Sequence, residues 1–149
     1  MNLKKFAQLM EGRASLLQSN VNELKKDVAE TFITEVANTT PVDVGTAISN
    51  WQVGLGDAPT TTLSAHSPGN KGSTWNANVR GTLADATMRI DTALPGEDIH
   101  VTNNLDYIDD LEQGYSPQAP DGMVEQAKAK ARKKLKGVSL LGRRYVRQY

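Results

Sequence analysis

The chain has 149 residues, 38% of them hydrophobic, and a formal net charge of zero, which fits one domain with a modest core. It has no cysteine, which excludes disulfides and thiolate metal sites. No apolar run approaches the roughly 20 residues needed to span a bilayer. Lys4 and Lys5 precede no apolar signal-like stretch, so synthesis and assembly in the cytoplasm, with no membrane partner, are expected. Two Trp and two Phe are few large anchors for this length, so part of the burial is expected from partner subunits. The zero net charge hides an uneven layout. From Asp85 to Glu125 every charged residue but Arg89 is acidic, and beyond Glu125 every one is basic. Such polarity suits head-to-tail packing or a basic arm on an acidic partner, and equally a solvated helix face followed by a tail.

Residues 2–38 read as one long helix. Leu3, Ala7, Met10, Ala14, Leu17, Val21, Leu24 and Val28 alternate steps of four and three and make a narrow apolar seam. Gly12 is its weak point, at about 1 kcal/mol against Ala. The seam is expected to pack in the core, on a sheet or on a neighbouring subunit. Pro41 sets Thr40 extended and ends the helix, and Asp43 and Gly45 predict a turn. From Ala47 to Leu55 the alternation of Ser49, Trp51, Val53 and Leu55 with polar residues predicts a strand with Trp51 as a core anchor. Residues 56–73, rich in Gly, Pro, Ser and Thr, predict a long mobile loop. His66 lies there with no second ligand near it in sequence, and a metal or catalytic role is not expected.

Ser73 or Thr74 can cap a second helix through Ala93, interrupted by Gly81. Ile99 and Val101 predict a second strand, with His100 pointing away from their face. Asn103 and Asn104 suit a turn. Tyr107, Ile108 and Leu111 share a face of a short helix that Gly114 ends with positive φ. Ser116, Pro117, Gln118, Ala119 and Pro120 form a rigid extended loop. Asp121 can cap a last helix, Gly122 to Lys136, whose apolar stripe is Met123, Val124, Ala127, Ala131 and Leu135. Gly137 stops it. Residues 138–149 read as a basic arm with interleaved tyrosines.

Two blocks carry a resemblance. NNLDYIDDLEQGYSPQAPDGMV, residues 103–124, and TPVDVG, residues 40–45, followed by Asn50-Trp51, resemble the signatures of the neck, or tail-completion, proteins of long-tailed double-stranded DNA phages. That family commonly has Thr where this chain has Val44, and often Arg where it has Thr46. With the long helix before the first block, the resemblance covers about Phe6 to Ala131. It implies a virion protein at the head–tail neck, working as a ring of identical subunits, six by analogy. The ring would sit between the head-closure or connector layer and the tail terminator or tube, with genomic DNA passing through its lumen. It implies no catalysis and no cofactor.

The expected fold is therefore α+β, with a long N-terminal helix and a C-terminal helix packed on a small, mostly antiparallel sheet beside a long mobile loop. At least one further strand is expected around residues 61–65, because a two-stranded ribbon is marginal alone. Residues 1–137 form the single domain and 138–149 the basic arm. Carried over from the resemblance, the expected subunit or partner contacts are Pro41, Asp43, Gly45, Tyr107, Glu112, Gly114, Ser116, Pro117, Gln118, Ala119, Pro120, Gly122 and Met123. Candidate contacts to DNA or a partner are Lys133, Lys134, Lys136, Arg143, Arg144 and Arg147. The alternatives are a tail terminator or a nucleic-acid-binding module using the basic C-terminal segment. A hydrolase is not expected, since no nucleophile–His–acid grouping is visible.

Overall fold

The computed structural model describes residues 1–118 and 122–149. A single helix, α1, spans Leu3–Thr39. Asn2 opens it, its side chain accepting from Lys5 N at 2.9 Å. Gly12 does not break it. Thr40 leaves the helix in an extended conformation before Pro41, as the proline requires.

The buried face of α1 is not the predicted seam. Asn20, Asn22, Lys26, Asp27, Ala29, Ile33, Val36 and Ala37 are buried, while Val21 is 47% exposed. Residues 1–15 are all exposed, so this half of the helix stands clear of the body. The reason is the polar chemistry of the inner face. Asn20, Asn22, Lys26 and Asp27 each meet a partner contributed by distant chain, and this outweighs the burial that the seam offers.

After Pro41 the chain turns at Gly45, in the left-handed region at φ +91, into a short helix α2, Thr46–Ser49, and then strand β1, Gln52–Leu55. The strand expected from Ala47 is thus helical over its first residues. Asn50 Nδ2 closes α2 by donating to Thr46 O, and Ile48 is fully buried. From Trp51 onward the expected face is met at Trp51 and Val53, which are buried, but Gly54 is buried too and Leu55 only partly so. Trp51 is a core anchor as expected, 6% exposed, with Nε1 donating to Thr40 Oγ1 at 2.7 Å.

Strand β1 pairs antiparallel with β2, Ile99–Thr102, in the register Val53 opposite Val101. No further strand occurs among the described residues. Side chains instead hold the segment expected to contain one. Asn50 pairs with both backbone groups of Leu63, accepting at 2.7 Å and donating at 2.8 Å, as a strand neighbour would. Gln52 Nε2 and Asn104 Nδ2 both donate to Thr61 O. Residues 56–73 are therefore an irregular loop, as expected, but one tied down within its own chain.

Helix α3 spans Trp75–Asp91 and packs on α1, α2 and β1. Gly81 does not interrupt it. The His66 ring lies against Gly81, where an added Cβ would sit 2.8 Å from His66 Cγ. A short helix α4, Ile108–Glu112, leads to α5, Met123–Lys133, which packs along α1. One core gathers Ala29, Ile33, Val36, Trp51, Val53, Ala86, Ile90, Met123 and Ala127. A smaller one joins Ala37, Val42, Ile48 and Val79. The architecture is α+β: a long N-terminal and a C-terminal helix with a small antiparallel sheet.

Residues 138–149 contain no regular element, but they fold back along α1. Asn20 holds them, donating to Leu140 O and Arg143 O at 2.8 Å and accepting from Tyr145 N at 2.7 Å. The segment expected as a basic arm thus lies as a strap on α1.

Candidate subunit-contact site

The two blocks singled out in the sequence meet in space. Pro41 to Ala47 on one side and Tyr107, Leu111, Ser116 and Gln118 on the other line a cleft of about 390 Å³. Gln118 joins them. Its Oε1 accepts from Val42 N at 3.0 Å and its Nε2 donates to Val42 O at 3.4 Å, so one amide satisfies both backbone groups of Val42. Ser116 Oγ accepts from Gln118 N at 3.3 Å and orients that residue.

The turn before the cleft is fixed from several directions. Asp43 Oδ1 accepts from Lys71 N at 2.9 Å, and Asp43 O accepts from Gly72 N at 2.9 Å. Asp43 therefore anchors the far end of the long loop and does not close a local turn. Gly45 is obligatory on two grounds. Its φ is +91, and an added Cβ would lie 2.3 Å from Asn78 Nδ2. Pro41 is buried, and Val44 stands out at 47% exposure.

Asn103 and Asn104 make the expected turn, with Leu105 N donating to Asn103 Oδ1 at 3.3 Å. They also brace distant chain. Asn103 Nδ2 reaches Ala47 O at 2.9 Å, and Asn104 Nδ2 reaches Pro59 O at 2.9 Å. Tyr107 is 43% exposed at the cleft mouth, and partial desolvation raises its phenol above the ordinary value.

Glu112 has a role that spacing did not reveal. Its carboxylate accepts from Val124 N at 2.8 Å and Glu125 N at 3.3 Å, so it caps α5 from a different helix. Gly122 follows from this: a Cβ there would lie 2.4 Å from Glu112 Oε1. Gly114, at φ +83, ends α4 as expected. Met123 was expected at a contact surface, yet it is fully buried in the core, its side chain drawn in by the apolar stripe of α5. Ala119, Pro120 and the expected cap Asp121 lie outside the described residues.

The basic candidates divide. Arg147 is not free for DNA. Its guanidinium donates to Glu23, Glu30 and Asp91, each at 2.9 Å, and its side chain is 11% exposed. Burial pulls its pKa down, but hydrogen bonds to Glu23 and Asp91 and the charge of Glu30 raise it on balance. Burial pushes Glu23 up, yet Arg147 and Lys26 bring it below its ordinary value. Burial holds Glu30 above its ordinary value against the pull of Arg147, with Asp91 and Asp27 adding to the rise. Lys134 is likewise engaged, 3.1 Å from Asp27. Lys133, Lys136, Arg143 and Arg144 are exposed and have no carboxylate partner among the described residues.

The histidines stand apart from the cleft. His66 Nε2 is 3.9 Å from Asp85, a carboxylate not foreseen beside it, and His100 Nε2 is 2.9 Å from Gly56 O. Among the described residues no group of three or more His, Asp or Glu is placed to hold a metal ion. No helix among them is long and apolar enough to cross a membrane.

Sequence reasoning missed the buried asparagines. Asn78 is fully buried and makes five hydrogen bonds, to Ser49, Ser67 and Thr74. Asn20, Asn50 and Asn78 each join segments far apart in sequence. A signal was present: asparagine is a poor residue for a helix interior unless its amide has work elsewhere. No family model, curated protein or solved structure matches this chain.

Proposed function

We propose that this chain is a structural subunit of a tailed-phage virion, forming a closed ring at the head–tail neck that joins or completes the tail. One observation supports the reading above the rest. Pro41 to Gly45 of one block that carries the resemblance, and Tyr107, Leu111, Ser116 and Gln118 of the other, face each other across one cleft closed by Gln118 on Val42. Among the described residues the cleft holds no acid–base pair, and its exposed residues Val44 and Tyr107 suit a protein contact. The work of the molecule is assembly, not bond-making chemistry.

In this reading six copies form heterologous contacts that close on themselves, so weak individual contacts become cooperative. Head-closure or connector proteins bind one side and tail terminator or tube proteins the other, with DNA in the lumen. The protein resides in the virion and is assembled in the host cytoplasm.

The test is electron microscopy of lysates from a phage with this gene disrupted. DNA-filled heads beside separate, full-length tails are expected. Over-long tails would replace the joining role with a terminating one, and intact infectious particles would overturn the neck reading.

A second reading, a nucleic-acid-binding module, draws on Lys133, Lys136, Arg143 and Arg144, which are exposed and have no carboxylate partner among the described residues. It predicts retention on duplex DNA that falls steeply with salt. Tight retention at physiological salt would place it first.

A further inference from the structure

The molecule is polarised along α5. Ion pairs of Lys130 with Glu35 and of Lys134 with Asp27 show that α5 runs antiparallel to α1. Glu112 caps the N-terminal end of α5, so α4 sits there, on the side where α1 leads into Pro41. Asp106, Asp109 and Asp110 are exposed around α4 and have no cationic partner among the described residues. The sequence holds no Lys or Arg from residue 90 to residue 127. The eleven residues of α5 then carry the chain about 16 Å to the opposite end. A polar cleft of about 420 Å³ opens there. Lys133 and Lys136 form one wall, and Arg143 and Arg144 of the strap form the other. No carboxylate among the described residues lines this cleft. Its walls are held in place, because Asn20 fixes Leu140 and Arg143 while Asp27 takes both Lys134 and Tyr145.

We infer that the acidic corner of one copy, Asp106, Asp109 and Asp110, docks in the basic cleft of a second copy. Charge selects this occupant. The corner lacks cations and the cleft lacks carboxylates, and the surroundings keep the sign of each end. At the acidic end the fold adds the exposed pair Asp43 and Lys71, which cancel. At the basic end the exposed half of α1 continues beyond Asn20 with Lys4, Lys5 and Arg13 against Glu11. The two surfaces lie at opposite ends of α5, so they meet only between copies. The chain as a whole has a formal net charge of zero, so copies do not repel one another at long range. A duplex would satisfy the cleft and leave the acidic corner unmatched, whereas a second copy satisfies both.

The corner is continuous with the surface already described. Asp106 adjoins Tyr107, which stands at the mouth of the Gln118 cleft, and α4 begins at the next residue. Apolar groups border both charged surfaces: Tyr115, just after α4, is 75% exposed, and Val146, which lines the basic cleft, is 72% exposed. A single exposed ion pair contributes little, so the strength of the contact comes from several acting together and from closure of the ring. The contact is heterologous, since each subunit offers its corner to one neighbour and its cleft to another. It rests on the ring reading above and names the surface that the Tyr107 side of the molecule meets.

Charge exchange tests it. Asp109→Lys/Asp110→Lys reverses the corner, and Arg143→Glu/Arg144→Glu reverses the cleft. In sedimentation at low salt the unsubstituted protein is expected to self-associate, and either variant alone to do so at least about tenfold more weakly. Mixed in equal amounts, the two variants are expected to recover assembly, because each reversed surface then meets the other. A chain carrying all of these substitutions is expected to recover it alone. Variants that assemble as the unsubstituted protein does would overturn the inference and leave the ring standing, and so would a mixture that recovers nothing. An unsubstituted protein that stays monomeric would overturn the contact and the ring together, while the lysate experiment decides the phage role. Cleft reversal that abolishes retention on duplex DNA and leaves self-association unchanged would give the cleft to nucleic acid instead. The substituted side chains are exposed and make no contact to a partner among the described residues, and circular dichroism matching the unsubstituted protein confirms that each variant is folded.

Discussion

Single polar side chains hold this molecule together where hydrophobic anchors are few. Asn78 is the fullest case: its amide meets a hydroxyl from the residue closing α2, both backbone groups of Ser67, and the start of its own helix. Replacing it with Ala leaves several buried groups without partners, each costing about 1–3 kcal/mol. Asn78→Ala is therefore expected to lower stability by about 3 kcal/mol, read as a reduced urea midpoint at unchanged slope. Glu112 is a milder case. Glu112→Ala removes the cap of α5 and is expected to cost about 1 kcal/mol. Gly122→Ala should match it, because the new methyl group displaces the same carboxylate. A double variant losing no more than either single one would show that the two act through one contact. The positive φ at Gly45 and Gly114 was legible from residue type. The capping by Glu112 was not, since it joins residues twelve apart through a turn that spacing does not specify.

At the scale of elements, the strap over residues 138–149 is the least expected feature and the easiest to perturb. Arg147 fastens it to three carboxylates on α1 and α3, and Tyr145 donates to Asp27 at 2.6 Å. Arg147→Ala leaves those carboxylates unbalanced, and is expected to detach the strap while α1 and α3 stay folded. Trypsin should then cut at the exposed Arg143 and Arg144 at least tenfold faster, with far-ultraviolet circular dichroism nearly unchanged. Tyr145 adds a pH dependence. Burial, then the hydrogen bond and charge of Asp27, push its phenol up to about 12 from 10.0. A folded-state pKa raised in this way gives stabilisation that is complete below the unfolded value of about 10 and lost as pH rises through about 12. Phenolate absorbance should show one tyrosine ionising near that upper limit, and Tyr145→Phe should remove that step. Basic composition suggested an arm without showing what it packs on. What folds it back is a set of acidic residues on α1 and one on α3, more than fifty positions away. The existence of α1, of β1 and β2 from residue 52 onward, and of α5 was legible from periodicity. The buried face of α1 was not, because periodicity locates an apolar seam without saying whether the same chain covers it.

Across the whole molecule, two regions differ in what supports them. The body has two apolar clusters and a lattice of amide hydrogen bonds, whereas the outer half of α1 has only its own backbone. Isolated helices of about this length are marginal in water. A protein lacking residues 1–15 is expected to keep its thermal midpoint within about 2 °C, because those residues are exposed and no stabilising contact of the body is lost. Amide exchange in the intact protein should show residues 3–15 unprotected and residues 29–37 protected to near the global stability. Protection of residues 3–15 that rises with protein concentration would connect the arm to self-association. The cleft was legible in part. Its two blocks stood out as turn-rich segments, but their meeting depends on one glutamine amide gripping the backbone of a residue 76 positions earlier.

The Asn20 clasp also sets an order of events during synthesis. Its partners lie 120 to 125 residues later in the chain. At about 5–20 residues per second, a ribosome adds those residues about 6–25 s after Asn20. Through that interval Asp27 lacks Lys134, Glu30 lacks Arg147, and Glu23 has only Lys26 beside it on the same helix, so part of the inner face of α1 stays acidic and open. A nascent chain not yet extended through residue 147 therefore presents a face that the strap covers in the folded molecule.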